Sequence, residues 1–451
     1  MPLRQYARLF PIVAMLAVAA ISAQADRNSA QGSDVRVARQ TDGTFTLIRN
    51  GEPYQVKGAG WGSANTSQGD SLALLADSGG NSIRTWGIEQ LEQLIDGKPL
   101  LDRAHELGIT VSAGFWVAHP RHGFDYGEPA SLNRQRQRLR DAVLKYKDHP
   151  ALLTWGLGNE MEHVFKAGEG DNGDVRIWQE LDHLAAIIKE LDPHHPVMTV
   201  IAGAAPTKIR TILEHYPQLD ILGVNAYSGG AGVGKSLLES GWNGPYVLTE
   251  FGVSGTWEVA ATPWGAPIEQ DPSTKAGASY TTYMLDQKNN VGRTLGSYVF
   301  IWGSKQEATS SWFSMLLPTG EKLPRVDAMA YAWTGDWPEN RAPKIRTLTS
   351  PVAFKKVDAG VRSYATVDCI DREGDALAFT WEIRAESTDR RVGGDAEAAP
   401  PSFSAAIKKG QGTSRVEFET PKRPGGYRVF VTVLDGNGGA VVHNLPFFVE
   451  G

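Results

Sequence analysis

Between residues 55 and 301, short apolar segments alternate with longer amphipathic ones, and this rhythm constrains the fold more than any other feature of the chain. The longer segments, such as residues 133–147 and 175–191, carry apolar residues three and four positions apart, which predicts helices with one buried face. Strands that alternate with helices form a parallel sheet, and eight such strands close into a (β/α)8 barrel, the TIM barrel. The eight predicted strands are residues 55–60, 81–85, 110–115, 152–158, 197–201, 220–224, 246–249 and 297–301.

The amino terminus predicts a secretory signal peptide over residues 1–25. Arg4 and Arg8 precede an apolar run over residues 9–21, and Ala-Gln-Ala at 23–25 has the small-x-small pattern of a cleavage site. The run contains a proline and is shorter than the ~20 residues that span a bilayer, which argues against a membrane anchor. We therefore expect a periplasmic or secreted protein with no membrane-spanning segment after cleavage.

The remaining chain is predicted to fold as two domains. Residues 26–43 are polar and predict a flexible leader, and Asn50-Gly51 predicts a tight hairpin turn at the start of the barrel domain, residues 44–335. Residues 336–343 have the proline content of a linker. Residues 344–451 then show alternating strands between glycine and aspartate turns, without a helical pattern, which predicts a small β-sandwich.

The sandwich sequence is similar to immunoglobulin-like modules of the polycystic-kidney-disease or cadherin type. The similarity lies in the acidic turn 371–375 before Phe379 and Trp381, and in the Asp-Gly-Asn-Gly turn at 435–438. The acidic turn could offer oxygens to calcium, but acidic residues are also common in tight turns, and we expect neither a metal nor a cofactor.

Charge and cysteine content exclude some partners. The net charge is −6, and loss of Arg4 and Arg8 with the signal peptide would make it −8. Because no basic cluster remains to neutralise phosphates, nucleic acid is not an expected partner. Cys369 is the only cysteine, so no disulfide can form within the chain.

Polar and aromatic residues follow the predicted strands, at the face where a barrel builds its active site. Two of them are glutamates after short apolar strands, Glu160 and Glu250, and paired carboxylates suggest acid chemistry. Tryptophans at this face can stack on sugar rings, although a tryptophan is more often a core residue, as we expect for Trp155 and Trp178. The strand-end residues are Trp61, Arg84, Trp86, Trp116, His119, Asn159, Glu160, Asn225, Tyr227, Glu250 and Trp302.

These residues resemble the active site of clan A glycoside hydrolases, with families two and five as the nearest patterns. The matching features are Asn-Glu after the fourth strand, glutamate after the seventh, arginine after the second, tyrosine after the sixth and tryptophan after the eighth. Asn225 stands where family five usually has histidine, and there the chain looks more like family two. The resemblance covers about residues 45–335 and implies a retaining hydrolase of a carbohydrate substrate, a β-glucan-like oligo- or polysaccharide.

By the same resemblance, Glu160 is the acid/base and Glu250 is the nucleophile. Retention by double displacement needs their carboxyl groups ~5–5.5 Å apart. The supporting roles implied are contact with the sugar 2-hydroxyl by Asn159, orientation of the nucleophile by Arg84 and Tyr227, and a donor subsite at His119 and Trp302.

A long segment after the seventh strand, residues 255–278, carries Trp257 and Trp264 and shows no helical period. Long ordered loops in compact domains are usually functional, so we expect this segment to form a wall or lid of the cleft, with Trp257 binding substrate. The alternative is a surface excursion that packs on itself or on the sandwich.

Three other functions stay open at this point. Residues 229–236 satisfy the phosphate-loop pattern G-x-x-x-x-G-K-[ST], but export and their position after the sixth barrel strand argue against a nucleotide hydrolase. A transglycosylase would use the same two glutamates with a sugar as the acceptor. A carbohydrate-binding barrel without catalysis is the third alternative.

Overall fold

The computed structural model describes residues 32–62, 70–162, 174–391 and 393–451. The predicted signal peptide lies outside these ranges. Within them, no helix combines the length and the apolar character that crossing a bilayer requires.

A three-stranded antiparallel sheet precedes the barrel and covers its amino-terminal end. Val35 and Leu47 of this sheet are buried against Leu153 and Met198 at the bottom of the barrel. The predicted hairpin is present, with Asn50 and Gly51 at positive φ in its turn. The strands are β1 (Val35–Arg39), β2 (Phe45–Arg49) and β3 (Glu52–Tyr54).

The expectation of a flexible leader through residue 43 is wrong for β1. This strand pairs antiparallel with β2 along its whole length. Val35 and Val37 alternate with Arg36, and this period of two places Val35 in the apolar contact with the barrel.

Eight parallel strands close into a barrel, which confirms the predicted fold. A short hairpin of β6 (Leu94–Ile95) and β7 (Lys98–Pro99) interrupts the alternation after the second barrel strand. The barrel strands are β4 (Val56–Gly62), β5 (Ser82–Arg84), β8 (Thr110–Phe115), β9 (Leu152–Leu157), β10 (Val197–Ala202), β11 (Ile221–Asn225), β12 (Tyr246–Phe251) and β13 (Thr294–Gly303).

Each barrel strand is followed in the chain by a helix on the outside of the barrel, and most of these helices bury an apolar stripe there. The helices are α1 (Ser71–Asp77), α2 (Leu100–Glu106), α3 (Pro129–Tyr146), α4 (Val175–Leu191), α5 (Pro206–His215), α6 (Val233–Glu239), α7 (Pro272–Asn289) and α8 (Pro324–Thr334).

Helix α7 begins inside the segment that was expected to lack helix. Asp271 caps it by accepting hydrogen bonds from the backbone N–H groups of Ser273 and Thr274, and Pro272 occupies its first position. Aspartate followed by proline is a helix start signal, and it was missed because the residues behind it are small and weakly periodic.

The carboxyl-terminal domain consists of two four-stranded sheets around a separate apolar core that includes Trp381, Val429 and Phe447. This is the predicted β-sandwich, while the likeness to immunoglobulin-like modules stays a prediction. Its strands are β14 (Lys344–Thr349), β15 (Lys356–Val357), β16 (Arg362–Ile370), β17 (Ala378–Ala385), β18 (Ile407–Lys409), β19 (Arg415–Glu419), β20 (Gly425–Leu434) and β21 (Ala440–Val449).

Candidate active site

A cavity of about 840 Å³ opens at the carboxyl ends of the barrel strands. Glu160 and Glu250 both line this cavity, so the fold brings together the carboxyl groups that follow β9 and β12. The face is the one where (β/α)8 barrels assemble catalytic groups. Its strand-end lining includes Trp86, Trp116, Asn159, Glu160, Asn225, Tyr227, Glu250, Phe300 and Ile301.

Glu250 accepts three hydrogen bonds from side chains. Arg84 Nη1 donates to Oε1 at 2.9 Å, Trp86 Nε1 donates to the same oxygen at 3.2 Å, and the Tyr227 hydroxyl donates to Oε2 at 2.7 Å. Burial and then the charges of the two glutamates hold the pKa of Tyr227 well above its ordinary value of 10.0, so the phenol keeps its proton. Both carboxyl oxygens of Glu250 are thus held in place by donors, one of which is a guanidinium.

Glu160 has a different environment. Asn225 Nδ2 donates to its Oε1 at 2.8 Å. Burial raises the pKa of Glu160 above the ordinary value of 4.5, and the charge of Glu250 raises it further, against the smaller lowering effect of the Asn225 hydrogen bond. The carboxyl group of Glu160 therefore keeps its proton to a higher pH than the carboxyl group of a solvated glutamate does.

The backbone of Glu160 lies in the left-handed region, with φ at +51°, which is rare outside glycine. Its N–H donates to the carbonyl of Val200 at 2.8 Å, and His119 Nε2 lies 3.1 Å from its carbonyl oxygen. These contacts hold the strand end in a conformation that directs the carboxyl group at the cavity. Such backbone geometry is concentrated at functional sites.

A buried hydrogen-bond network connects the two glutamates. Arg84 donates to Glu250 through Nη1 and to Asn159 Oδ1 through Nη2, the latter at 2.7 Å. Asn225 Nδ2 lies 3.2 Å from the same Asn159 oxygen, and Thr249 donates to Asn225 Oδ1 at 2.8 Å, which fixes the orientation of the amide. The position of one carboxyl group thus depends on the residues that hold the other.

Aromatic rings form much of the remaining wall. Trp257 lines the cavity from the loop after β12, and its ring meets Tyr227 edge-on at 5.5 Å. Trp86 meets Phe300 edge-on at 6.0 Å. Trp257 is 64% exposed, which leaves an aromatic face open to a ligand at the mouth of the cavity.

The expectation that Trp61, Trp302 and His119 contact the substrate is wrong, because none of the three side chains lines the cavity. Trp61 and Trp302 are fully buried in the barrel core, where their indole N–H groups donate to Gln93 and to the Ser71 carbonyl. His119 is fully buried and contacts the Glu160 backbone, so it positions that residue. The strand register shifts between Val299 and Trp302, and the residues between them, Phe300 and Ile301, are buried side chains that line the cavity.

The predicted binding segment after β12 has two parts with different surroundings. Trp257 belongs to the cavity, whereas Trp264 packs against Phe448 of the sandwich at 5.8 Å. Glu258 ties the first part to the neighbouring loop by accepting from the N–H groups of Gly255 and Ser228. Both the cleft wall and the packing on the sandwich are therefore present, at different positions along the segment.

Two parts of the cavity lining, one after β13 and one from the sandwich, are not among the residues predicted from the sequence. Lys305 and Glu307 form an ion pair of 2.5 Å in the loop after β13. Arg390, Arg391 and Asp395 belong to the loop between β17 and β18. No local pattern marks either set, because each reaches the cavity only through the folded path of a long loop.

The phosphate-loop pattern is part of the barrel. Residues 230–232 form a 3-10 turn that leads into α6, and the Lys235 side chain is 80% exposed beside Glu239.

In the acidic turn of the sandwich, Asp371 Oδ1 accepts from the N–H groups of Gly374 and Asp375. Over the part of the chain that the structure describes, no group of three or more His, Cys, Asp or Glu residues is arranged to hold a metal ion.

Residues 66–255 match the family model of the TIM-barrel domain of glycosyl hydrolases family 2. One curated relative is the β-mannosidase of Capra hircus, 30% identical over 133 residues, which cover 28% of this chain and 14% of that protein. Another is the β-glucuronidase of Bacteroides fragilis, 26% identical over 226 residues, which cover 43% of this chain and 30% of that protein. The alignments thus span less than a third of these relatives.

Among solved structures, a calcium-binding mutant of Bacteroides uniformis β-glucuronidase 2 has a similar fold. The TM-score is 0.50 at 14% sequence identity, over 93% of this chain and 48% of that one. At this identity the likeness concerns the fold alone.

Proposed function

We propose that this protein is a retaining β-glycoside hydrolase, because residues 66–255 match the TIM-barrel domain of glycosyl hydrolases family 2. In this proposal Glu250 is the nucleophile and Glu160 is the general acid and base. The substrate is a β-linked oligo- or polysaccharide, and the reaction needs no cofactor.

The observation that carries the proposal is the unequal environment of the two glutamates. Glu250 accepts hydrogen bonds from Arg84, Trp86 and Tyr227, which orient its carboxyl oxygens for attack as a nucleophile. Glu160 has a raised pKa through burial and the charge of Glu250, which favours a carboxylic acid. A retaining glycosidase needs one ionised and one protonated carboxyl group at the same time. The separation of ~5–5.5 Å between them stays a prediction.

The first step follows from these protonation states. A carboxylate oxygen of Glu250 bonds to the anomeric carbon while Glu160 gives its proton to the departing glycosidic oxygen. The product is a glycosyl ester on Glu250 and a released alcohol. Negative charge then leaves Glu250 and appears on Glu160, so one cause of the raised Glu160 pKa disappears at the moment when this group must lose its proton.

The second step uses the same groups in reverse. The Glu160 carboxylate removes a proton from water, the water oxygen bonds to the anomeric carbon, and the ester bond to Glu250 breaks. Arg84 and Tyr227 stabilise the Glu250 carboxylate as it is restored. Two inversions give net retention.

The identity of the sugar is a finer question. The relatives are named for β-mannosides and β-glucuronides, while the resemblance noted in the sequence favours a β-glucan. Turnover of 4-nitrophenyl β-mannoside, β-glucuronide, β-glucoside and β-galactoside should show at least one substrate, with loss of activity in Glu250→Ala. A barrel that only binds carbohydrate would hydrolyse none of them, and transfer to an added acceptor sugar would identify a transglycosylase by mass spectrometry.

We also propose that the protein is exported, on the signal-peptide pattern of residues 1–25. The protein recovered from a periplasmic extract should have the mass of a chain that begins after Ala25. Recovery of the full-length mass from the cytoplasm would contradict export.

A further inference from the structure

We propose that the sandwich domain supplies one wall of the substrate cleft, and that Arg390 and Arg391 bind sugar units beyond the one that reacts. This inference rests on the proposed glycosidase function and deepens it. The segment concerned is called the sandwich loop, residues 386–391 and 393–403, between β17 and the turn before β18.

The sandwich loop reaches the same cavity as the two glutamates. Arg390, Arg391 and Asp395 line it together with Glu160 and Glu250. A second domain thus contributes to a site that the barrel alone would leave open on this side. Long loops without regular structure are usually functional in a compact domain.

Contacts with two different barrel loops hold the sandwich loop in place. Asp395 accepts from Arg121 Nη2 at 3.0 Å and lies 3.1 Å from His122 Nε2, both in the loop after β8. Glu397 accepts from the backbone N–H of Ala308 at 2.8 Å, in the loop after β13. The sandwich loop therefore spans the cavity mouth between the ends of β13 and β8, past β4 and β5 in the barrel order.

The sandwich is also docked on the barrel away from this loop. Arg428 is buried and donates to the Pro267 carbonyl at 2.6 Å, and Asn444 donates to Glu269 at 2.6 Å. Leu323 of the barrel shares an apolar cluster with Phe430 of the sandwich. Because these contacts fix the domain independently, changes in the loop should alter the cleft without releasing the sandwich.

Arg390 and Arg391 suit the recognition of sugar hydroxyl groups. Their side chains are 36% and 57% exposed, and each has a carboxylate partner inside the loop, Glu386 and Asp389 respectively. A guanidinium has five N–H donors, so one carboxylate contact leaves donors for a ligand. Ion pairs at such exposed positions are weak, so a sugar can replace or share them at small cost.

The test compares a single-sugar substrate with longer ones. The double variant Arg390→Ala and Arg391→Ala should keep the wild-type kcat/KM on the best 4-nitrophenyl monoglycoside. On the matching β-linked tetrasaccharide, kcat/KM should fall about tenfold through KM, because the lost hydrogen bonds serve only the distal sugars. Asp395→Ala, which releases the loop from Arg121 and His122, should show the same selectivity in the same direction.

The matched control is Arg346→Ala, an exposed arginine of the sandwich that is 3.9 Å from Asp368 and does not line the cavity. It should leave both substrates unaffected. An equal effect of the double variant on both substrates, or no effect on the tetrasaccharide, would overturn the inference while the glycosidase proposal stands. Absence of turnover by the wild type on every glycoside would overturn the glycosidase proposal itself. Melting temperatures check that each variant remains folded.

Discussion

At the scale of single residues, the site gives different surroundings to two side chains of the same type. Glu250 accepts from Arg84, Trp86 and Tyr227, whereas Glu160 accepts from Asn225 and lies in the field of the Glu250 charge. Neither property is visible in the residue type. Both arise because the residues that surround each carboxyl group come from several strand ends.

The proposed acid role of Glu160 predicts an alkaline limb in the pH profile of kcat/KM. Proton donation requires the protonated form, so activity should fall as pH rises through the Glu160 pKa. Because burial and Glu250 raise that pKa, the limb should lie above the ordinary glutamate value of 4.5. Initial rates on a 4-nitrophenyl glycoside across the pH range measure it.

Glu160→Gln with a dinitrophenyl glycoside should lose this limb, since that leaving group needs little protonation. Glu258→Gln changes another carboxyl group of the cavity and should retain the limb. A wild-type limb at 4.5, or an unchanged limb in Glu160→Gln, would argue against Glu160 as the acid.

At the scale of elements, the loop after β12 contacts both the cavity and the sandwich. The segment from the end of β12 to α7 places Trp257 in the cavity and Trp264 against the sandwich. The two tryptophans lie seven positions apart in the sequence and look equivalent there. Only the path of the folded chain separates them.

Replacement of Trp257 should therefore affect substrate binding, and replacement of Trp264 should affect stability. Trp257→Ala should raise KM for oligosaccharides by roughly twofold to tenfold, because a stacking contact is worth about 0.5–1.5 kcal/mol, with little change in melting temperature. Trp264→Ala should lower the free energy of unfolding by about 1–3 kcal/mol and leave KM unchanged. Each variant serves as the control for the other, in steady-state kinetics and in chemical denaturation. A loss of stability in Trp257→Ala together with a raised KM in Trp264→Ala would contradict the positions given to the two tryptophans.

The elements themselves were largely predictable, because buried strands carry a local signal. Residues 110–115 were predicted and observed as β8, and the other barrel strands differ by a few residues at their ends. The direction of side chains at the strand ends was less predictable. Trp86 and Trp302 both follow predicted strands, yet the first lines the cavity and the second packs in the core. For Trp302 the reason is that the observed strand continues past it with an irregular register.

At the scale of the whole molecule, the barrel and the sandwich share a buried polar centre. Glu269, after β12, accepts from Lys275 Nζ at 2.6 Å, from Thr309 Oγ1 at 2.6 Å and from Asn444 of the sandwich at 2.6 Å. Burial alone would raise the pKa of Glu269, but Lys275 and the other donors lower it to about 2. A contact of this kind joins residues far apart in the chain, so no local pattern could predict it or the sandwich loop.

Glu269→Ala should destabilise the protein by about 3–5 kcal/mol, because it leaves the ammonium group of Lys275 buried without its carboxylate. Glu239→Ala is the matched control, since its pair with Lys235 is exposed, and it should change stability by less than about 0.5 kcal/mol. Urea denaturation measures both. Equal stabilities of the two variants would contradict a structural role for Glu269.

The sign of the pH effect follows from the depressed pKa of Glu269. Its contribution is fully present above the ordinary value of 4.5 and is lost as pH falls towards the folded-state value of about 2. The stability difference between wild type and Glu269→Gln should therefore narrow across that interval. A difference that widens on acidification would oppose this assignment.

The most direct test of the account is the anomeric configuration of glycosyl azides formed by two variants. Glu160→Ala should lose about 10²–10⁴-fold on substrates with poor leaving groups but still form the glycosyl-enzyme from an activated aryl glycoside. Added azide should then intercept that intermediate and give the β-glycosyl azide. Glu250→Ala should form no glycosyl-enzyme, and azide should attack from the vacated side to give the α-azide. The opposite pairing of anomers would exchange the roles of the two glutamates, and the absence of azide products from both variants would contradict double displacement.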